Sequence, residues 1–123
     1  MVRQYRYPIE QVTLEFPMGY SEGLDPHATA VAELKEEMGI TAGCLVELGN
    51  YHVAVGCTDQ PAFVYLATHL TFGEAKPEPG EFFDYETCSI EEIGELICSG
   101  IIKDGPTIVA YQYLTMYRQG HVL

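Results

Sequence analysis

Short alternating stretches and longer helical rhythms divide the chain. Val2 to Tyr7 alternates and is rich in β-forming residues, which predicts a strand. Pro8 to Gln11 reads as a turn and Val12 to Phe16 as a second strand. Beyond Pro17-Met18-Gly19 the period lengthens. At about 100° per residue Val31, Leu34 and Met38 share one face, with Glu33, Glu36 and Glu37 opposite. Asp25 supplies an N-cap, Pro26 suits the first helical position, and Gly39 stands where a left-handed residue ends a helix.

Cys44 to Val55 is apolar enough for one long or two short strands, with Gly49-Asn50 marking a bend or bulge. Gly56 to Pro61 is a polar loop, and Ala62 to Phe72, the most hydrophobic stretch, predicts a central strand. Gly73 to Gly80 is a polar, proline-bearing loop, followed by a strand over Phe82 to Thr87. Ser89 caps a helix to about Cys98, with Ile90, Ile93 and Leu96 or Ile97 inward. Asp104 opens a third helix to about Arg118, whose Tyr111, Tyr113 and Tyr117 read as packing and interface residues. The order of elements predicts a single α+β domain over residues 1–123.

The acidic turn of the first helix brings chemistry into this picture. Glu33, Glu36 and Glu37 place three carboxylates in five residues, and Lys35 offers little local compensation. Such carboxylates repel one another unless water, salt or a cation screens them. A hard divalent ion such as Mg²⁺ takes oxygen ligands and removes that repulsion. Spacing alone leaves a solvated acidic face and a cation site both open.

The longer pattern resembles the Nudix box, the signature of the Nudix hydrolases, G-x5-E-x7-R-E-U-x-E-E-x-G-U with U a bulky apolar residue. After Gly19 and a loop, the match falls at Glu33, Leu34, Glu36, Glu37, Gly39 and Ile40. The preceding LEFPMG resembles the ELPAG that leads into the box in the ADP-ribose pyrophosphatase branch. There are departures. The loop from Gly19 is one residue short, so Leu24 or Asp25 falls where the first box glutamate stands. Ala32 replaces the arginine that in the family orients the box carboxylates, and Val55 replaces a proline associated with ADP-ribose preference.

The resemblance implies a Nudix α/β/α sandwich with a mixed β-sheet. It also implies roles. Glu33 and Glu37 would be ligands to Mg²⁺ or Mn²⁺, Glu36 a ligand or catalytic orienter, and Met18 a ligand through its backbone carbonyl. Glu81, with Glu78 as a looser match, would supply a further ligand or the general base. Arg6 first, and Arg3 second, would hold substrate phosphates, in the family often across a dimer interface, and Glu15 would reach the substrate. On the residues alone, each of these three is equally at home on a solvated strand.

Net charge is −12, from 6 Lys and Arg against 18 Asp and Glu, so the surface repels phosphate backbones and argues against nucleic acid as a partner. A small anionic substrate remains compatible where a metal ion neutralises the site. No run approaches a membrane span and nothing at the start resembles a signal peptide, so the expected location is the cytoplasm. Cys44, Cys57, Cys88 and Cys98 are too scattered for a metal finger and read as reduced thiols; His52 and His69 read as structural. Family members carry several dozen residues before the first strand seen here, including N-terminal strands. A sheet lacking them has an open edge, which predicts a homodimer, strand- or domain-swapped. The expected function is metal-dependent hydrolysis of the pyrophosphate in a nucleoside diphosphate derivative, ADP-ribose or another nucleotide sugar. The alternative is a catalytically impaired Nudix-fold protein that binds a ligand or partner.

Overall fold

The computed structural model describes residues 1–76 and 84–120. β1 (Val2–Arg6) and β2 (Gln11–Glu15) form an antiparallel hairpin, with Val2 opposite Glu15 and Arg6 opposite Gln11. Pro8 lies in a 3-10 turn over Tyr7–Ile9, and Glu10 at φ 51° closes it. β1 therefore stops one residue earlier than its alternation predicts, because proline's fixed φ and missing N–H cannot continue the ladder. β5 (Asp84–Tyr85) pairs antiparallel with the other edge of β1, in the order β2-β1-β5. The expected strand residues Phe82 and Phe83 lie outside the described residues.

β3 (Ile40–His52) and β4 (Pro61–Phe72) make a second antiparallel sheet. The α+β class holds; both sheets are antiparallel among the described residues, where a mixed sheet was expected. The reason is topological. Helix α1 (Pro26–Met38) carries the chain from β2 in one sheet to β3 in the other, so it lays down no parallel neighbour. β3 starts four residues before Cys44 because Gly39, at φ 66°, ends the helix and turns directly into the strand. The register shifts between Glu47 and Gly49, the bulge that Gly49 foreshadowed, and Leu48 there is buried.

Alternation along β1 and β2 builds the layers. Val2 packs with Met38 and Ile40, with Leu34 against them, which places α1 on one face of the three-stranded sheet. Leu14 faces the other way and packs with Met1, Ile93 and Ile102, supported by Phe16, Leu96, Ile97 and Tyr111. α2 (Ile90–Cys98) and α3 (Gly105–Arg118) thus cover the second face, which gives the helix–sheet–helix layering. Ser89 and Glu92 close a full capping box at the start of α2, and Asp104 caps α3.

The packing of α1 corrects one expectation. Its less exposed arc runs through Ala30, Glu33, Leu34, Glu37 and Met38, while Val31 remains 44% exposed. The helix is rolled so that two of its acids turn toward the protein and Val31 turns out. The Val2–Ile40 cluster takes Leu34 and Met38 from the last turn of the helix and does not include Val31.

Candidate active site

The sheet face that meets α1 carries Val2, Gln4 and Arg6 from β1, with Thr13 and Glu15 from β2. Glu15 is 2% exposed, and both its oxygens are engaged. Arg6 grips it bidentately, Nε donating to Oε1 at 2.8 Å and Nη2 donating to Oε2. The Thr13 hydroxyl donates to Oε1 as well. Burial works against the Glu15 charge, but the Arg6 and Thr13 hydrogen bonds outweigh it and hold the carboxyl below its usual value. Arg6 in turn is kept protonated chiefly by Glu15, with smaller contributions from Asp104 and Glu37. Its side chain stays 41% exposed.

Arg3 and Arg6 are three positions apart on a strand and therefore point to opposite faces. Arg3 binds Glu86 through Nε at 3.2 Å and Nη2 at 2.6 Å. The structure thus separates the two arginines and puts only Arg6 on the α1 side.

Glu33 lies against the loop that precedes the helix. A Cβ on Gly19 would overlap Glu33 Cγ and Cδ and come within 2.6 Å of Oε1. A side chain at that point would have to displace the Glu33 carboxylate, so glycine leaves it its space. The Met18 carbonyl belongs to the adjoining residue, half-buried in the same loop. Glu33 and Glu37 are both half-buried and both engaged in interactions, whereas Glu36 is exposed. Among the described residues no three His, Cys, Asp or Glu side chains gather as a metal-ligand set. Glu78 and Glu81 lie outside the described residues, but the chain leading to them docks on the acidic helix. The Lys76 amide donates to the Glu36 carbonyl at 2.9 Å and the Gly73 amide to that of Gly39 at 2.8 Å.

Sequence reasoning passed over two threonines. Thr13 shares its strand face with Glu15, so the two-residue spacing was a usable signal. Thr107, three residues after the Asp104 cap, is 0% exposed and links α3 to the end of β2. Pairing across 91 residues leaves no local trace in the sequence. A separate open depression of about 470 Å³ is lined by His52, Val55, Gly56, Cys57, Thr58 and Asp59, and none of the acidic candidates borders it.

No protein-family model matches the chain. A crystal structure of an ADP compounds hydrolase superposes with a TM-score of 0.86 at 20% identity, covering 97% of this chain and 65% of that one. The chain is 35% identical over 119 residues to the ADP-ribose pyrophosphatase of Bacillus subtilis, and 34% identical over 119 residues to the methanol dehydrogenase activator of Bacillus methanolicus. Each match takes in 94% of this chain and 64% of the relative, so the chain spans about two thirds, and slightly less, of their length. An ADP-ribose pyrophosphatase of Mycobacterium tuberculosis is 40% identical over 72 residues, which cover 57% of this chain and 35% of that protein.

The layered fold and the acidic helix after Gly19 define a Nudix protein. Within that superfamily the chain is similar to the ADP-ribose pyrophosphatase of Bacillus subtilis over slightly less than two thirds of that protein's length. No helix among the described residues is long and apolar enough to cross a membrane.

Proposed function

We propose that this protein is a metal-dependent hydrolase that splits the pyrophosphate of a nucleoside diphosphate derivative, with ADP-ribose or another ADP-sugar as first candidate. The roll of α1 carries this reading. A solvated acidic face would point Glu33 and Glu37 outward; instead they are half-buried, Glu33 against Gly19 and Glu37 within electrostatic reach of Arg6. Relatives bearing the names ADP-ribose pyrophosphatase and ADP-sugar pyrophosphatase support the substrate class.

The donor chemistry suits Mg²⁺ or Mn²⁺, since carboxylates and a backbone carbonyl are hard oxygen ligands. Glu33 and Glu37 would hold the ion with the Met18 carbonyl, and Glu36 and Glu81 complete the proposed set. A divalent cation there supplies charge neutralisation and Lewis acidity toward the phosphates. Arg6, oriented by Glu15, presents its guanidinium to a phosphate oxygen. Glu81 or Glu36 takes the proton from the attacking water, and the remaining work is alignment of the phosphoanhydride. Arg3, on the other face and bound to Glu86, drops out of this set.

The test is phosphate-ester release from a panel of nucleotide sugars with Mg²⁺ or Mn²⁺. Turnover of an ADP-sugar that is lost in Glu33→Gln and Glu37→Gln supports the reading; no turnover of any member by the parent sinks it. A second reading, a non-catalytic binding protein, is favoured by Ala32 in place of the box arginine. One relative is named as an activator of another enzyme. Tight nucleotide binding without turnover in that panel would select it. The protein is further proposed to be cytoplasmic and to act as a homodimer, for which the exposed Tyr5, Tyr7, Ile9 and Val12 of the first hairpin speak.

A further inference from the structure

We infer that Thr107 and Asp104, at the start of α3, are positioning residues for the loop that carries the Met18 carbonyl. The inference rests on the proposed metal site and adds a part of the chain that the acidic motif does not reach. Thr107 is 0% exposed, and its hydroxyl both donates and accepts a hydrogen bond. It donates to Asp104 Oδ2 at 2.7 Å, while the Thr107 amide donates to the same oxygen at 2.9 Å. The Phe16 amide can only donate, so the single hydroxyl proton of Thr107 goes to Asp104. The hydroxyl oxygen is thereby left as an acceptor, and it receives the Phe16 amide at 3.1 Å. The direction of every bond in this relay is fixed.

Phe16 is the place where such a tether acts most directly. Pro17 has no N–H, so Phe16 offers the last backbone donor before Met18. Two residues beyond Met18's predecessor, the chain meets Glu33 at Gly19 with no room for a Cβ. The segment is therefore held at one end by α3 and pressed at the other against the acidic helix. Its Met18 carbonyl and the Glu33 carboxylate keep their spacing only while the Phe16 tether holds. Loss of a residue that orients metal ligands costs about tenfold or more in metal affinity.

The experiment measures Mn²⁺ affinity by isothermal titration of the full chain without nucleotide, beside thermal stability, for the parent, Thr107→Val and Thr107→Ser. Val keeps the shape and removes both hydroxyl bonds; Ser keeps the hydroxyl. The expected result is Mn²⁺ binding weakened about tenfold in Thr107→Val and restored in Thr107→Ser. Equal affinity in the parent and Thr107→Val overturns the inference and leaves the metal site standing. A parent that binds no Mn²⁺ overturns both. Should Thr107→Val fail to fold, the parent alone decides through amide hydrogen exchange. Coupling is reciprocal, so saturating Mg²⁺ must slow exchange at Phe16 more than at Ile102, which bonds to Leu96 within the second helical layer. Equal slowing at the two amides overturns the inference.

Discussion

At Glu15 two opposing influences meet on one carboxyl. Burial disfavours its charge, and the bonds from Arg6 and Thr13 favour it more, so its folded-state pKa lies below the ordinary 4.5. A depressed carboxyl binds fewer protons folded than unfolded, and stability rises with pH across that interval. The contribution is complete above about pH 4.5, diminishes as pH falls below it, and is gone below the folded pKa. The stability difference between the parent and Glu15→Gln, followed by urea denaturation, is expected to shrink as pH drops through that window; a difference unchanged from pH 7 to pH 3 would contradict the pairing. Arg6→Ala leaves Glu15 buried with Thr13 as its remaining side-chain hydrogen-bond partner among the described residues. The expected loss is about 2 kcal/mol, below the roughly 3–5 kcal/mol of a fully buried pair because the Arg6 side chain is 41% exposed. Gly19 tests the site rather than the fold. Gly19→Ala must displace the Glu33 side chain, so turnover on an ADP-sugar should fall at least about tenfold with helix content by circular dichroism unchanged.

At the scale of elements, the ends were legible and the orientations were not. Asp25 accepts from the Ala28 amide at 3.0 Å, Pro26 opens α1, and Gly39 closes it in the left-handed region, all as local chemistry dictates. These features depend on neighbours within one turn, which the sequence states outright. The roll of α1 depends on what covers it. Val31 carries the same apolar signal as Met38, but Val2 of one sheet and Ile40 of the other pack with Met38 and Leu34 of the last turn, and Val31 stays 44% exposed. Likewise the bulge at Gly49 could be foreseen, whereas its partner could not: the Tyr113 ring fills the space a Cβ would need, and its hydroxyl donates to the Asn50 carbonyl at 2.9 Å. Two substitutions separate the local from the tertiary contribution. Asp25→Ala removes a cap and is expected to cost about 1 kcal/mol. Gly39→Ala meets both a positive φ and a backbone clash, with Glu74 C only 2.6 Å from the new Cβ, and should cost more in the same denaturation assay.

The whole molecule combines a strongly acidic surface with uncovered apolar side chains. Tyr7 is 80% exposed, and Tyr5, Ile9 and Val12 on the same hairpin are at least half exposed. Tyr5 and Val12 stand directly opposite each other, so they form one patch and not scattered points. Burying such a patch against a second copy is favourable, but two protomers of charge −12 repel as they approach. The balance between these effects is set by ionic strength. At 0.01 M salt the screening length is about 30 Å, and at 0.1 M about 10 Å, so added salt removes the repulsion and leaves the apolar contact intact. Sedimentation velocity at micromolar concentration should therefore show a dimer that tightens as salt is raised. An interface held by surface ion pairs would weaken under the same change. Val12→Lys places a further charge in the patch and is expected to return the protein to monomer while the fold, followed by circular dichroism, is retained. A parent that stays monomeric across the whole salt range would show that the hairpin patch does not bind a second copy, and would leave the proposed active site to function within one chain.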